Sequence, residues 1–308
     1  MKIVLLDAIT FGDTDLSGFE QFGEVVVYEK TTPSQTQERI SDANVIVTNK
    51  VVISKEMMVT CNNLHLICVA ATGMNNVDLE AAKELGIAVK NVAGYSTDSV
   101  IQHTFSMLFY LVGDSRYYDE SVKNGSYSQS GVFTDVSHPF FEIKGKKWGI
   151  IGLGEIGRGV AKVASCFGAD VTYYSTSGKN SNHNYRQVDL QTLLETNDII
   201  SIHAPLNEQT DNLLDYEHLV RCKDGAIVLN LGRGGIINEE AVAKIVDAKE
   251  ISFGLDVFSK EPLSGDSPLL QVKHKERLYL TPHIAWTSVE ARQKLIAGVI
   301  ENIKEMLF

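Results

Sequence analysis

Short apolar runs alternate with polar, helix-like stretches through the first hundred residues of the chain. Each apolar run has the length of a buried strand, and the stretches between them have helical periods. Gly86 follows the third helical stretch in the position of a C-terminal cap. This alternation predicts a parallel sheet covered by helices on both faces. The predicted strands are Lys2–Leu6, Glu24–Tyr28, Asn44–Thr48, Leu66–Ala70 and Ala88–Val89, and the predicted helices are Thr36–Asp42, Ser54–Thr60 and Val77–Leu85.

A second β-α series begins at Lys147, after a long amphipathic segment. Apolar residues at helical spacing predict one buried or bridging helix over Ser96–Lys123, and the polar stretch Asn124–Ser137 predicts an exposed loop. The closing stretch Ser288–Leu307 is again helical in period. The strands predicted for the second series are Trp148–Gly152, Asp170–Tyr174, Ile199–His203, Ala226–Asn230, Ile251–Leu255 and Leu278–Thr281.

Composition narrows the class of protein without indicating a function. The chain has 308 residues, 44% of them hydrophobic and 22% charged, which excludes wholesale disorder. At about 150 residues per domain, this length predicts two domains. With 39 acidic and 28 basic residues the net charge is −11, which argues against a nucleic-acid or membrane-surface binder. An anionic ligand must then be held by a few placed donors.

Cysteine usage and hydropathy indicate the compartment. Cys61, Cys68, Cys166 and Cys222 are scattered without a C-x-x-C pair, so we predict structural thiols in a reducing compartment. The apolar run at the N-terminus is too short for a signal peptide, and no window approaches the roughly 18 apolar residues of a membrane span. No His, Cys and carboxylate residues have zinc-site spacing, so no metal site is predicted. The sequence therefore predicts a cytoplasmic protein.

A glycine-rich turn is the clearest local motif. The run GLGEIG at 152–157 matches G-x-G-x-x-G, directly follows the apolar strand that contains Trp148 and opens a helical stretch towards Phe167. The first glycine permits the turn, the second lets a pyrophosphate approach the backbone, and the third lets helix and strand pack closely. A simple tight turn is the alternative, but the strand–turn–helix context favours a dinucleotide site at the helix N-terminus.

The stretch expected to bind the adenosine ribose departs from the usual pattern. About 20 residues after such a turn, an acidic residue at a strand tip normally binds the ribose hydroxyls and repels a 2′-phosphate. Here the stretch 174–179 has the sequence YSTSGK, without an acid. Ser175 and Thr176 can bind either form of the cofactor, and Lys179 is either a phosphate partner or simply solvated. The choice between NAD and NADP stays open at this point.

Three further polar groups follow predicted strands of the second series. Arg233 lies between glycines in NLGRGG, Asp256 and Glu261 lie in LDVFSKEP, and His283 lies in TPHIAW. An arginine fork binds a carboxylate through two oxygens, and a histidine suits proton transfer. Taken singly, Arg233 could be a surface residue and His283 a structural hydrogen bonder. Because open α/β sheets bind ligands at the carboxyl ends of their strands, we expect the groups to converge.

In this order and spacing the motifs resemble the D-isomer-specific 2-hydroxyacid dehydrogenases over essentially the whole chain. The resemblance rests on GLGEIG at 152–157, HAPL at 203–206, LNLGRG at 229–234, LDVF through EP at 255–262 and TPH at 281–283. Softer marks, most similar to the glycerate dehydrogenase (hydroxypyruvate reductase) branch, lie at 102–105, 138–145, 174–179 and 283–286. The chain departs from the family at Gln102, where Glu is commoner, and at Ser175, where an acid is usual.

The resemblance implies a fold, a partner and a reaction. A Rossmann-type doubly wound parallel sheet at 99–283 would bind NAD or NADP, inserted into a flavodoxin-like α/β substrate (catalytic) domain made of 1–98 plus 284–308. A cleft between the domains would close over the substrate and exclude water. Homodimers are usual in the family. The implied reaction is reversible hydride transfer to a small 2-oxo acid, above all hydroxypyruvate, giving D-glycerate, and also glyoxylate.

The resemblance also implies a role for each matching residue of this chain. Arg233 would grip the substrate carboxylate and polarise the carbonyl, and His283 would exchange a proton with the substrate oxygen as hydride is transferred. Glu261 would fix the tautomer of His283 and favour its protonated form. Asp256 would bind the nicotinamide carboxamide, and the backbone of Thr72–Gly73 would complete the carboxylate site.

The resemblance implies further cofactor contacts on the same motifs, and no metal, nucleic acid or membrane. The predicted cofactor-binding residues are Thr104, Gly152, Gly154, Glu155, Ile156, Gly157, Ser175, Thr176, His203, Pro205, Leu231, Arg233, Asp256 and His283.

Other interpretations change the substrate or remove the reaction. Dehydrogenases of the phosphoglycerate or D-lactate type share these motifs, although no basic cluster for an added phosphate lies near Thr72 or His138 in the sequence. A non-catalytic dinucleotide-sensing protein can also keep Arg233, Glu261 and His283. Turnover of a small panel of 2-oxo acids separates these possibilities.

Overall fold

The chain forms two compact units in the computed structural model, which describes residues 1–179 and 182–307. The first unit comprises Met1–Ser96 and Thr287–Phe308, and the second comprises Thr97–Trp286. Among the described residues, no helix is long and apolar enough to cross a membrane. Strands and helices alternate in both units, as the hydrophobic pattern predicts.

Local hydrogen bonds explain where the chain passes from one unit to the other. The sequence prediction places its boundaries at 98/99 and 283/284, whereas the units change over at 96/97 and 286/287. Ser99 Oγ donates to Ala285 O, and the N–H groups of Ile284 and Ala285 donate to Asp256. These bonds attach residues 284 and 285 to the second unit.

The first unit is built around a parallel sheet. Its strands are β1 (Lys2–Leu5), β2 (Glu24–Val27), β3 (Val45–Thr48), β4 (Leu66–Val69) and β5 (Ala88–Asn91). Its helices are α1 (Pro33–Ile40), α2 (Lys55–Val59), α3 (Leu79–Glu84) and the C-terminal helix Val289–Leu307, with 3₁₀ turns at Ala8–Phe11 and Ser17–Phe22. The strand order is β2-β1-β3-β4-β5, with Val4 opposite Val26 and Ile46. Every residue of β3 and β4 is buried, as expected for parallel strands covered on both faces.

Side chains and glycine fix the helix ends of this unit. Thr32 and Gln35 form a capping box at the start of α1. Asp78 caps α3 by accepting the N–H of Ala81 at 2.9 Å. The predicted cap at Gly86 is confirmed, since this glycine follows α3 with φ of +70°.

The second unit contains another parallel sheet, and the predicted α/β fold class is confirmed. Its strands are β6 (Lys147–Ile151), β7 (Asp170–Tyr174), β8 (Arg186–Gln187), β9 (Ile199–Ile202), β10 (Ile227–Asn230), β11 (Ser252–Leu255) and β12 (Leu278–Leu280). Its helices are α4 (Thr97–Val112), α5 (Ser115–Lys123), α6 (Ser126–Gln129), α7 (Glu155–Cys166), α8 (Leu190–Thr196), α9 (Tyr216–Leu219) and α10 (Glu239–Ala248), with 3₁₀ turns at Pro268–Leu270 and Lys275–Arg277. The strand order is β12-β11-β10-β9-β6-β7-β8.

The strand order places a switch point beside β6. The chain runs from β6 outward through β7 and β8, then returns to β9 on the other side of β6. Separate buried clusters include Ile245 and Phe253 in one and Phe105, Trp148 and Val160 in the other. In open sheets of this kind, ligands bind at the carboxyl ends of the strands that flank the switch point.

The predicted single helix over Ser96–Lys123 is wrong. The helix stops at Val112, and a separate helix begins at Ser115 after Gly113 and Asp114. Asp114 has φ of +42°, a left-handed conformation that short polar residues tolerate and that ends a helix. The hydrophobic period continues across this break, which is why the pattern alone does not reveal it. The predicted loop over 124–137 also contains the short helix α6.

Candidate active site

The glycine-rich run forms the turn between β6 and α7. Gly152 has φ of +90°, and a Cβ there would lie 2.8 Å from Ala204 N. A Cβ on Gly157 would overlap the carbonyl oxygen of Gly152. By contrast, a Cβ on Gly154 would meet nothing within 4 Å. Gly152 and Gly157 therefore serve the packing of the turn, whereas Gly154 leaves open space at the N-terminus of α7.

The neighbouring strands bring Ser175 and His203 to either side of this turn. Gly152 N donates to Tyr174 O at 3.0 Å, and His203 N donates to Ile151 O at 2.9 Å. In the part of the chain that the structure describes, Ser175 Oγ and His203 Nδ1 are the buried side-chain polar atoms without a hydrogen-bond partner. Buried polar atoms normally have partners, so a ligand with complementary groups fits here. These atoms and the open space at Gly154 fit a dinucleotide.

Burial determines the charge of His203. It lowers the pKa of this imidazole to about 3, so the ring is neutral near pH 7. His203 Nε2 lies 3.0 Å from Ser201 Oγ, which in turn lies 2.9 Å from Trp148 Nε1. The motif at 203–206 predicts His203 as a cofactor contact, but sequence analysis misses Ser201 and Trp148. The sequence indicates these two residues only weakly. A buried indole N–H needs an acceptor, and Ser201 lies on the strand that ends before His203.

The tip of β7 carries the residues predicted to bind the ribose. Ser175 is buried, Thr176 is half-buried and Lys179 is exposed. Lys179 N donates to Ser177 Oγ at 3.3 Å, which shapes the turn. Over 175–179 the sequence offers hydroxyl groups and one amine, with no carboxylate to repel a phosphate.

Arg233 lies on the loop after β10, and two neighbours fix that loop. Asn230 Nδ2 donates to Arg233 O at 2.9 Å, and Asn230 Oδ1 accepts the N–H of Gly232 at 3.1 Å. A Cβ on Gly234 would overlap the carbonyl of Phe258, so this loop packs closely against the loop after β11. The Arg233 side chain is exposed. Its backbone is thus held by hydrogen bonds, while its exposed guanidinium donates from Nη1 to Gly232 O at 2.8 Å.

His283 and Glu261 form an ion-pair contact on the loops after β12 and β11. His283 Nδ1 lies 2.7 Å from Glu261 Oε2, and Glu261 Oε1 accepts the N–H of Phe258 at 3.1 Å. Since a carboxylate only accepts, Nδ1 carries the proton and Nε2 is the nitrogen available for proton exchange. His283 has φ of +54°, an uncommon conformation for this residue type. Such backbone geometry persists where surrounding bonds enforce it.

Asp256 supplies those surrounding bonds. Its carboxylate is fully buried and accepts Thr281 Oγ1 at 2.6 Å, Ile284 N at 2.8 Å and Ala285 N at 2.9 Å, while its carbonyl accepts His283 N at 2.8 Å. The carboxylate therefore holds the segment that carries His283. Its predicted contact with the nicotinamide carboxamide stays a prediction.

His103 lies behind this cluster on α4. Its Nε2 is 3.3 Å from Thr281 Oγ1 and 3.7 Å from Asp256 Oδ1. Burial lowers the pKa of His103, and Asp256 partly opposes that shift. The ring therefore supports the segment that carries His283 through Thr281 and Asp256.

Other predicted contacts differ in their surroundings. Thr104 is fully buried and donates to Val100 O at 2.8 Å, so in this conformation its hydroxyl is not offered to a ligand. Leu231 is also buried, whereas Glu155 and Pro205 are exposed and Ile156 is half-buried. Glu155 and Ile156 begin α7, Pro205 and Leu231 lie on strand-end loops, and Thr104 lies within α4.

Thr72 and Gly73 follow β4 in the first unit. Thr72 O accepts Asn91 Nδ2 at 2.5 Å, and Thr72 Oγ1 lies 3.5 Å from Val92 O. They occupy the carboxyl edge of that unit's sheet. Their binding to a substrate carboxylate stays a prediction. Among the described residues, no cluster of three His, Cys, Asp or Glu residues is placed to hold a metal ion.

Comparison with known proteins gives a consistent family. The sequence model described as "D-isomer specific 2-hydroxyacid dehydrogenase, NAD binding domain" matches residues 105–285. A hydroxypyruvate reductase from Blautia hydrogenotrophica is 36% identical, with 100% of this chain and 97% of the relative covered. A glycerate dehydrogenase from Methylorubrum extorquens is 34% identical, with 98% and 95% covered.

A solved structure agrees with these matches. An acyclic imino acid reductase in complex with NADPH and D-Arg superimposes with a TM-score of 0.85 at 29% identity, covering 100% of this chain and 97% of that one. The chain belongs to the D-isomer-specific 2-hydroxyacid dehydrogenase family, whose members are nicotinamide-dependent oxidoreductases acting on CH–OH groups.

Proposed function

We propose that this protein reversibly reduces hydroxypyruvate to D-glycerate, and also reduces glyoxylate. The observation that carries the proposal is the 2.7 Å contact of His283 Nδ1 with Glu261 Oε2, on the sheet edge that also bears Arg233. The relatives named hydroxypyruvate reductase and glycerate dehydrogenase support this choice of substrate.

His283 is the proton donor in the proposed reduction. With Nδ1–H donated to Glu261, Nε2 gives a proton to the carbonyl oxygen of the 2-oxo acid and takes it back in the reverse direction. Glu261 keeps the ring in this tautomer and stabilises the imidazolium by its negative charge. Nicotinamide, when bound, supplies the hydride to the carbonyl carbon or accepts it from the alcohol.

Arg233 is the proposed carboxylate ligand. Its planar guanidinium matches the two oxygens of a carboxylate, and its backbone is held by Asn230. The glycine turn at 152–157 and the N-terminus of α7 would hold the dinucleotide, with Ser175 and His203 beside them.

We further propose that both NADH and NADPH are used. The stretch from Ser175 to Lys179 lacks the carboxylate that would reject a 2′-phosphate, and its hydroxyls suit either ribose. The structural relative with NADPH bound supports this proposal. Ser175→Asp would restore the repulsion and shift the preference towards NADH, measured as the ratio of kcat/KM for the two cofactors.

One assay tests the activity. Purified protein is mixed with NADH or NADPH and each of hydroxypyruvate, glyoxylate, pyruvate and phosphohydroxypyruvate, and the loss of reduced-nicotinamide absorbance is followed. We expect hydroxypyruvate to give the highest kcat/KM. Cofactor binding without turnover of any 2-oxo acid would indicate a non-catalytic, dinucleotide-sensing protein. A preference for phosphohydroxypyruvate or for pyruvate would instead assign the chain to the phosphoglycerate or the D-lactate type of dehydrogenase.

Variants separate proton transfer from substrate binding. His283→Ala is expected to lower kcat by about 10³-fold, within the usual range of general acid catalysis. Arg233→Ala is expected mainly to raise KM for the 2-oxo acid. Near-normal turnover of the His283 variant would refute the proton-transfer role.

We also propose that the protein is a homodimer. The segment after α6 exposes large apolar side chains, with Val132, Phe133, Val136 and Phe140 all more than half exposed. Large apolar side chains exposed close together in one segment are unfavourable in water and are typical of interfaces. Light scattering of the purified chain tests the proposal, and Phe133→Asp with Val136→Asp should give monomers that keep their fold.

A further inference from the structure

A buried hydrogen-bond relay links the core of the second unit to the edge of the glycine turn. Trp148 Nε1 lies 2.9 Å from Ser201 Oγ, and Ser201 Oγ lies 3.0 Å from His203 Nε2. Trp148 and Ser201 have no exposed surface. The three residues therefore form a chain with one buried end and one end at the sheet edge.

The chemistry of the groups fixes the direction of the protons. An indole N–H can only donate, so Ser201 Oγ accepts from Trp148. The Ser201 O–H also needs an acceptor, and in the described part of the chain its remaining partner is His203 Nε2, so the arrangement that satisfies this O–H makes Nε2 the acceptor. A neutral imidazole carries one N–H, so in that arrangement the proton of His203 lies on Nδ1.

His203 Nδ1 is the atom left buried without a partner. An unsatisfied buried donor is costly, by about 1–3 kcal/mol. The atom lies beside the turn, since His203 N donates to Ile151 O and Ala204 packs against Gly152. The pKa of about 3 caused by burial keeps the ring neutral, so the tautomer persists across the neutral pH range.

We propose that Trp148 and Ser201 lock His203 in the Nδ1–H tautomer, and that this N–H donates to an acceptor atom of the bound dinucleotide. The inference rests on the dinucleotide site of the proposed function. Ser201 and Trp148 are positioning residues, because they act on the ligand only through the ring of His203. Through this chain of hydrogen bonds, the buried Trp148 would influence the affinity for the cofactor.

The tautomer can be observed without any cofactor. Nitrogen-15 NMR of the free protein distinguishes Nδ1–H from Nε2–H by the chemical shifts of the two ring nitrogens. We expect Nδ1–H for His203 in the wild type and a mixture of tautomers in Ser201→Ala. A wild-type ring protonated on Nε2, or a Ser201→Ala ring that keeps Nδ1–H unchanged, overturns the lock.

Binding measurements test the donated bond. The amide of His203→Asn reaches the place of Nδ1, whereas that of His203→Gln reaches the place of Nε2. By fluorescence titration with NADH and calorimetry with ADP-ribose, we expect the Gln variant to raise Kd about 10-fold, the effect of losing roughly 1.4 kcal/mol, and the Asn variant to stay near wild type. His218→Gln, at a half-buried histidine paired with Asp215, is the control and should leave Kd unchanged.

The outcomes separate this inference from the proposed function. Equal Kd values for His203→Gln, His203→Asn and wild type would show that water satisfies Nδ1, and the relay would be refuted while the proposed activity stands. Absence of NADH and ADP-ribose binding in the wild type would refute both. Ser201→Ala removes a smaller group than the histidine variants and tests the lock even where a His203 variant fails to fold.

Discussion

The carboxyl edges of the two parallel sheets differ in how their buried polar groups are satisfied. After β1, the buried carboxylate of Asp7 accepts N–H groups of Asn49, Lys50 and Val51 at 2.7 to 3.3 Å. After β7 and β9, Ser175 Oγ and His203 Nδ1 have no partner within the described residues. The first edge uses its own backbone to satisfy a buried charge, whereas the second keeps polar atoms available for a ligand.

The same contrast is visible in the pKa values. Burial raises the pKa of Asp7, but the backbone N–H groups that it accepts oppose the shift. For His203 burial alone sets the direction and lowers the pKa to about 3. A buried polar group whose hydrogen bonds are made within the protein contributes to the free energy of folding. A buried polar group left without a partner is available to bind a ligand. Variants at the two edges should therefore change different measurements.

The largest expected effect concerns the His–Glu pair. Glu261→Gln keeps a hydrogen-bond acceptor but removes the charge beside His283, so kcat/KM for hydroxypyruvate should fall about 10²-fold. The pair of His274 with Glu276, 2.9 Å apart, offers a matched control, and Glu276→Gln should leave kcat/KM unchanged. Equal activity of the two variants would remove the catalytic role of the Glu261 charge.

Two glycines of the turn at 152–157 should affect different measurements, one the stability of the fold and the other the affinity for the cofactor. Gly157→Ala places a methyl group on the carbonyl of Gly152, so we expect a loss of about 1–3 kcal/mol in the free energy of unfolding. Gly154→Ala meets nothing within 4 Å, so its thermal midpoint should stay near wild type while its Kd for NADH rises. Denaturant unfolding and NADH titration measure the two effects. A Gly154 variant with unchanged Kd would place the pyrophosphate elsewhere.

Asp7→Ala should affect stability only. It leaves several backbone N–H groups without their acceptor, and each unsatisfied buried donor costs about 1–3 kcal/mol, reduced where water reaches the loop. The free energy of unfolding should fall, while Kd for NADH remains unchanged because Asp7 belongs to the first unit. A weakened cofactor affinity in this variant would contradict the division between the edges.

The remaining expected effect is a pH dependence of the free energy of unfolding. The pKa of His203 is about 3 when folded and near 6.5 when unfolded, so the unfolded chain binds an extra proton between these values. Stability due to the neutral ring is therefore fully present above pH 6.5 and is lost as pH falls through this window. His203→Gln should flatten the slope by at most about 1.4 kcal/mol per pH unit. Urea unfolding from pH 7 to pH 4.5 measures it, and an unchanged slope would mean that the ring is solvated.

Strand positions were the most predictable part of the fold. Asp170–Tyr174 is correct at both ends, and Val45–Thr48 differs from its prediction by one residue. Continuous apolar runs between polar breakers leave little freedom, because parallel strands are buried on both faces. The helix break at Asp114 was not predictable in this way, since a left-handed residue changes direction without changing the hydrophobic period.

The sequence motifs predicted the residues proposed to bind and react, but they did not predict the residues that hold those side chains in place. The motifs indicated Arg233, Glu261 and His283, but not Ser201, which contacts Trp148 from a position 53 residues away. Local patterns carry no information on such contacts, because they depend on which strands become neighbours. Asp256 illustrates the same limit, since only the folded chain shows its carboxylate on the backbone of Ile284 and Ala285.

The sequence by itself determined the alternation of strands and helices, the glycine turn and the side chains available for chemistry, because burial and backbone preferences act locally along the chain. Tertiary structure alone decided which of those polar groups are satisfied. Asp7 accepts backbone N–H groups, while His203 Nε2 lies 3.0 Å from Ser201 Oγ and His203 Nδ1 has no partner among the described residues. Hydrogen-bond satisfaction is a property of neighbours in space, so strand order had to be known first.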